Sequence, residues 1–271
     1  MRRPVLRRRR TGEPRLRRGI YLIPSLFTVA NIFCGFLSII ESSRGHFDAN
    51  QGHFERAAIL ILIAIIADIL DGRIARMTGA ITSFGESYDS LADVISFGIA
   101  PALLAFQWGL WEVPRIGGAV AFLFLVAGSI RLARFSSVSH DSVDFSGLPI
   151  PAGAGAIAMM VLLSPTPVQH RYFIPVVVVM VLCLALLMVS NLPYRSGKKL
   201  DLRRQWPAPT VFVIALVISL ITLDPRLLSV LAALYILSAP VTVLTRKLRG
   251  ATAKNTDPTN GSVDDLENPD H

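Results

Sequence analysis

Four aspartates, Asp68, Asp71, Asp89 and Asp93, stand within the 26 residues DILDGRIARMTGAITSFGESYDSLAD. The first two are three apart and the last two four apart, so each pair shares one face of a helix. Between the pairs lie Gly72, Ala75, Arg76 and Gly85, and a polar break from Met77 to Ser83 where the chain can reverse. Folding at that break sets the two carboxylate pairs face to face. Such a group repels itself unless cations sit within it. Oxygen-only ligation suits hard ions such as Mg²⁺ or Mn²⁺, and the segment holds neither the His nor the Cys that zinc favours. Two such ions offer a seat for a pyrophosphate, which points to phosphoryl-type chemistry.

The flanking elements place that chemistry at a membrane. Ala57 to Ile69 (AAILILIAIIADI) is almost wholly apolar, and Val94 to Phe106 nearly so. A charged side chain at the bilayer centre costs roughly 2.5–3.5 kcal/mol on insertion scales and less near the interface, so carboxylates there need a purpose. Across 271 residues the hydrophobic share is 52% and the mean hydropathy +0.52. Apolar runs recur at the roughly 17–25 residues needed to cross a hydrocarbon core about 30 Å thick. The expected architecture is all-α: a polytopic bundle of about eight membrane helices. A basic arm (1–18) precedes the membrane domain (19–248), and a polar tail (249–271) follows it.

The spans are expected at about Tyr21 to Ile40, with Pro24 in its first turn, then Phe54 to Arg76, Gly85 to Trp108 and Gly117 to Phe135. A fifth starts near Pro149, the next two are Phe173 to Val189 and Pro209 to Leu223, and the eighth follows Asp224-Pro225-Arg226 and runs to about Leu244. Eight spans put both termini on one side. With that side cytoplasmic, 22 of the 27 Lys and Arg residues lie inside; Arg44, Arg56, Arg115, Arg171 and Arg226 lie outside. This is the positive-inside pattern, and it opens the aspartate hairpin to the cytoplasm. Nine arginines in the first eighteen residues suit anionic lipid headgroups. No aromatic interleaving or nucleic-acid motif accompanies them, so the net charge of +8 is not read as nucleic-acid binding. The stretch after them is too long for a cleavable signal. Cys34 and Cys183 lie in apolar runs and read as packing residues, and the five histidines show no ligand spacing.

The spacing D-x2-D-G-x2-A-R-x8-G-x3-D-x3-D, filled at Asp68, Asp71, Gly72, Ala75, Arg76, Gly85, Asp89 and Asp93, resembles the signature of the CDP-alcohol phosphatidyltransferases. The resemblance implies two divalent ions, Mg²⁺ or Mn²⁺, held by Asp68, Asp71, Asp89 and Asp93 against the pyrophosphate of a CDP-linked lipid. It makes Asp93 the general base and Gly72, Ala75, Arg76 and Gly85 contacts of the CDP-lipid. Further stretches resemble the bacterial membrane-integral branch that uses serine: PSLFTVANIFCGF (Pro24 to Phe36), YDSLADVISFGIAPA (Tyr88 to Ala102), RLARF (Arg131 to Phe135) and GLPIPAGA (Gly147 to Ala154). The implied partners are CDP-diacylglycerol and L-serine, within a homodimer. Serine's carboxylate wants a cation, and Arg131 and Arg134 share a helical face. They are candidate serine-binding residues or, alternatively, anchors of a helix end. GLPIP could line the same cavity. Asn31 either meets the CDP-lipid or hydrogen-bonds a neighbouring helix; Glu86 and Ser90 flank the catalytic face. Competing readings are a phosphorylated acceptor (glycerol 3-phosphate or an inositol phosphate), a divalent-cation transporter, and a structural membrane anchor.

Overall fold

The computed structural model describes residues 16–48, 52–79, 82–137, 147–168 and 172–190, together with residue 236. Among these, helices α1 (Leu16–Phe47), α2 (His53–Thr78), α3 (Ser83–Leu110), α4 (Pro114–Ser137), α5 (Ile150–Leu163) and α6 (Ile174–Val189) follow one another with no strand. Most of the basic arm, the loop 195–204, the two spans expected over 209–244 and the polar tail lie outside the described residues.

Among the described residues, three helices are long and apolar enough to cross a membrane: Leu26–Phe47, Ser83–Leu110 and Pro114–Arg134. With 26 residues, α2 extends about 39 Å at 1.5 Å per residue. Its charges gather at its ends, Glu55 and Arg56 at one, Asp68, Asp71, Arg73 and Arg76 at the other. The shorter apolar helices α5 and α6, with 14 and 16 residues, reach only about 21 and 24 Å.

The first helix is built inside out. Thr28, Asn31, Gly35, Ser38 and Ser42 recur at alternating steps of three and four and are buried. Leu26, Val29, Phe33 and Phe36 on the other side are exposed, Phe33 at 57%. This inversion suits lipid, where small and polar residues let helices approach and bond, while large apolar ones meet acyl chains. The Ser38 hydroxyl donates to the Ala57 carbonyl on α2 at 2.9 Å, an interhelical bond worth about 0.6 kcal/mol on average in a membrane. Where α1 crosses α3, the missing side chain of Gly35 matters. A Cβ there would lie 2.8 Å from the Ser96 backbone Cα, too close for any rotamer change to relieve.

Helix α3 is not a uniform rod. An α-helical start, Ser83–Asp93, passes into a π-helical segment, Val94–Ile99, then an α-helical turn, Ala100–Ala105, and a second π-helical segment, Phe106–Leu110. Pro101 supplies a local cause for the first. It has no amide hydrogen and its ring crowds the carbonyl four residues earlier, so a wider turn ahead of it relieves the clash. Ser96 lies in that turn, fully buried, and donates to the Asn31 carbonyl on α1 at 2.9 Å.

Phe97, Leu104, Phe124, Ile61, Ile65 and Ile157 form the centre of one apolar core drawn from α2 to α5. At one end of the bundle, Glu41 accepts from Arg44 (3.1 Å) and Arg56 (3.0 Å) and pairs with His53 (2.8 Å). Beside it the rings of His46 and Trp111 meet at 3.8 Å. The aspartates occupy the other end.

Several expectations need correcting. Because α1 begins at Leu16 rather than near Tyr21, Pro24 falls beyond its first turn. Cys34 packs against the core, but Cys183 is exposed on the outer side of α6. GLPIP packs against the end of α6, where the Leu148 amide donates to the Leu187 carbonyl at 2.9 Å. The expected reversal is present but tighter than Met77 to Ser83: α2 runs to Thr78 and ends on left-handed Gly79 (φ 64°). The next helix starts after Thr82.

Candidate active site

The reversal is set by caps. Gly79 adopts the positive φ that closes α2, its amide donating to the Ala75 carbonyl. Thr82 then caps α3, its hydroxyl accepting from the Gly85 amide at 3.0 Å. That cap uses one of the amide hydrogens at the start of α3. From the antiparallel pair, Asp68 on α2 and Asp89 and Asp93 on α3 bring carboxylate oxygens within 4.8 Å of one another. Asp93 is buried, and Asp68 and Asp89 are half-buried. Asp71, 5% exposed, stands beside them, close enough for its charge to act on Asp68 and Asp89.

Helix α1 forms the third wall. The Thr28 hydroxyl donates to Asp71 Oδ2 across the α1–α2 contact. One turn on, the fully buried Asn31 carboxamide lies against the Asp93 carboxyl. Neither end of that amide closes a hydrogen bond of good geometry. The interhelical bond at Asn31 runs instead through its backbone carbonyl, to Ser96. Sequence reasoning passed over Thr28. Its signal was the recurrence of polar residues at helical spacing inside the first apolar run.

The two arginines of α4 diverge. Arg131 is half-buried and its charge reaches Asp93. Arg134 is exposed and donates to the Val189 carbonyl at 3.2 Å, tying α4 to the last turn of α6. On the open side of the site, Arg76 Nε donates back to the Gly72 carbonyl at 2.7 Å. A Cβ at Gly72 would meet nothing nearer than Arg76 Nη2, at 3.7 Å. Gly72 and Ala75 are half-buried there, and Gly85, Glu86 and Arg76 are exposed. Ser90 spends its hydroxyl on the Glu86 carbonyl at 3.0 Å.

The donor set fits a hard divalent cation. Asp71, Asp89 and Asp93 each keep Oδ1 buried without a hydrogen-bond partner, and a buried carboxylate oxygen in that state is costly unless something positive meets it. Even with the charge of Arg131 acting on Asp93, four carboxylates leave a negative surplus. Oxygen donors alone favour Mg²⁺, Mn²⁺ or a similar ion over softer metals.

Residues 21–189 match the family described as CDP-alcohol phosphatidyltransferase. The chain belongs to that family. Its matched region covers all six described helices apart from the first turns of α1, and so contains the whole aspartate hairpin. Among relatives of known description, a CDP-diacylglycerol–serine O-phosphatidyltransferase of Helicobacter pylori is 38% identical over 222 residues, covering 80% of this chain and 89% of that one. An enzyme of the same description from Bacillus subtilis is 33% identical over 48% of this chain and 69% of its own. An archaetidylserine synthase of Methanothermobacter thermautotrophicus is 40% identical over 48% of this chain and 53% of its own. This CDP-alcohol phosphatidyltransferase is an integral membrane protein, in keeping with three described helices long and apolar enough to cross a membrane.

Proposed function

We propose that the protein transfers a phosphatidyl group from CDP-diacylglycerol to the hydroxyl of L-serine, giving phosphatidylserine and CMP. The observation that carries this reading is the convergence of Asp68, Asp89 and Asp93 where α2 and α3 meet, in a chain of this family. The serine acceptor is supported by the descriptions of its relatives, two of which carry serine in their names while a third is an archaetidylserine synthase.

Asp68, Asp71, Asp89 and Asp93 are the proposed ligands of two divalent ions, Mg²⁺ or Mn²⁺. When bound, such ions supply charge stabilisation for the transferred and leaving phosphate oxygens. Gly72, Ala75, Arg76 and Gly85 line the approach on the open side, where a CDP group can lie close to the backbone. Arg76 can exchange its bond to the Gly72 carbonyl for a phosphate oxygen. Asn31 offers its carboxamide to the bound CDP-lipid from the α1 side. Asp93 takes the proton of the serine hydroxyl as its oxygen attacks the lipid-side phosphorus and CMP departs. Arg131, whose charge acts on Asp93, pairs with the serine carboxylate. Arg134, bonded to α6, supports the end of the helix that carries Arg131.

The proposed membrane domain (19–248) completes eight spans with both termini and the active site on the cytoplasmic side of a bacterial inner membrane. There CDP-diacylglycerol can present its pyrophosphate at headgroup level while its acyl chains remain in the bilayer. The basic arm engages anionic lipids, and the working unit is a homodimer.

The test is an acceptor panel: purified protein, CDP-diacylglycerol and Mn²⁺, with labelled serine, glycerol 3-phosphate or inositol phosphate in turn. Labelled serine entering chloroform-soluble lipid, with stoichiometric CMP, is the expected result. Label entering lipid only from a phosphorylated alcohol would reassign the acceptor. Metal flux in liposomes without CMP release would make the aspartates a cation pathway instead.

A further inference from the structure

The buried bond between α1 and α2 at the aspartate end is not accounted for by the roles above. Thr28 and Asp71 are each about 95% buried, and they lie 43 residues apart in sequence. The hydroxyl donates to Asp71 Oδ2, while Oδ1 of the same carboxylate is buried and meets no donor. One oxygen is therefore fixed by α1 and the other is left for a different partner. Asp71 also stands outside the group formed by Asp68, Asp89 and Asp93, although its charge acts on two of them. A carboxylate in that state needs an outside restraint to hold its plane, and α2 itself provides none at that position.

We infer that Thr28 is a positioning residue for the metal centre: its hydroxyl orients Asp71 so that Oδ1 serves as a single-oxygen ligand to a divalent cation. The inference rests on the proposed metal centre and adds a component that its aspartate motif does not contain. A partner that orients a ligand is commonly worth 10- to 100-fold in metal affinity. It also gives α1 a chemical task beyond packing. The close approach at Gly35 and the Ser96 bond to the Asn31 carbonyl hold α1 in the register that keeps Thr28 against Asp71.

The experiment compares Thr28→Val, which keeps the shape and removes the donor, with Thr28→Ser, which keeps the donor. The full-length protein is purified in detergent and Mn²⁺ binding is followed by electron paramagnetic resonance. The Mn²⁺ dependence of CMP release is measured beside it, and thermal unfolding checks folding. The expected result is Mn²⁺ binding weakened about tenfold or more in Thr28→Val, near-normal binding in Thr28→Ser, and an unchanged KM for serine at saturating Mn²⁺. Unaltered Mn²⁺ affinity in a folded Thr28→Val protein would overturn the inference and leave the metal centre standing. Equal weakening in Thr28→Ser would overturn it too, because the effect would then come from packing. Should Thr28→Val fail to fold, Thr28→Ala takes its place as the variant without the donor, and unaltered Mn²⁺ affinity in it would likewise overturn the inference. A wild-type protein that binds no Mn²⁺ would remove the metal centre and this inference together.

Discussion

The Arg131 guanidinium on α4 lies near enough for its charge to act on Asp93 on α3, and those two residues separate chemistry from recognition at the level of single residues. Asp93→Asn keeps the size of the side chain and removes its basicity. Its kcat is expected to fall roughly 10²- to 10⁴-fold, the usual worth of a positioned general base, as read by CMP release at saturating Mn²⁺. Arg131→Ala is expected to raise KM for serine at least tenfold while KM for CDP-diacylglycerol stays within about twofold, because a lost charge-assisted bond to a carboxylate is worth roughly 1.5–3 kcal/mol. Arg134→Ala should show the reverse signature. Its bond goes to the Val189 carbonyl, so a lower unfolding temperature is expected with both KM values nearly unchanged. The sequence grouped these arginines because they share a helical face. Only the position of α6 shows that Arg134 is bonded to a helix end, while the charge of Arg131 acts on Asp93.

At the scale of elements, the aspartate helices were legible because their carboxylates repeat at helical spacing within apolar runs, and a polar break marks the turn between them. The approximate bounds of α2, α3 and α4 followed from the same pattern. What α1 does was less legible. Its apolar residues look like a core face but turn outward, and the residues that pack are the small and polar ones a hydropathy reading discounts. The π-helical segment after Asp93 was likewise hidden, because its cause, Pro101, lies downstream of the distortion. The α1–α3 crossing gives a matched test. Gly35→Ala puts a methyl group against the Ser96 backbone, whereas Gly118→Ala meets only Phe106, at 3.9 Å. Overpacking of the first kind costs typically 1–3 kcal/mol. Thermal unfolding in detergent is expected to drop by several degrees for Gly35→Ala and to hold or rise slightly for Gly118→Ala.

For the whole molecule, the division of labour between the two ends of the bundle matters most. One end carries the carboxylates. The other carries Glu41 with its three basic partners and the tilted ring pair of His46 and Trp111, a polar and aromatic finish suited to a membrane boundary. The 22-to-5 distribution of Lys and Arg expected for eight spans supports the proposal that the carboxylate end faces the cytoplasm. A reporter that matures only in the cytoplasm should therefore be active when fused to either terminus, and a silent C-terminal fusion would mean an odd number of spans. The central claim is that carboxylates from two neighbouring helices hold divalent ions that activate a nucleotide-linked lipid. The most direct measurement is CMP release from CDP-diacylglycerol and serine by protein stripped of metal with a chelator, followed as Mn²⁺ is returned. Turnover is expected to vanish on stripping and to recover with Mn²⁺. In the variant with Asp68, Asp71, Asp89 and Asp93 all changed to Asn, no recovery is expected. Full turnover by the stripped protein, or by that variant, would contradict the claim.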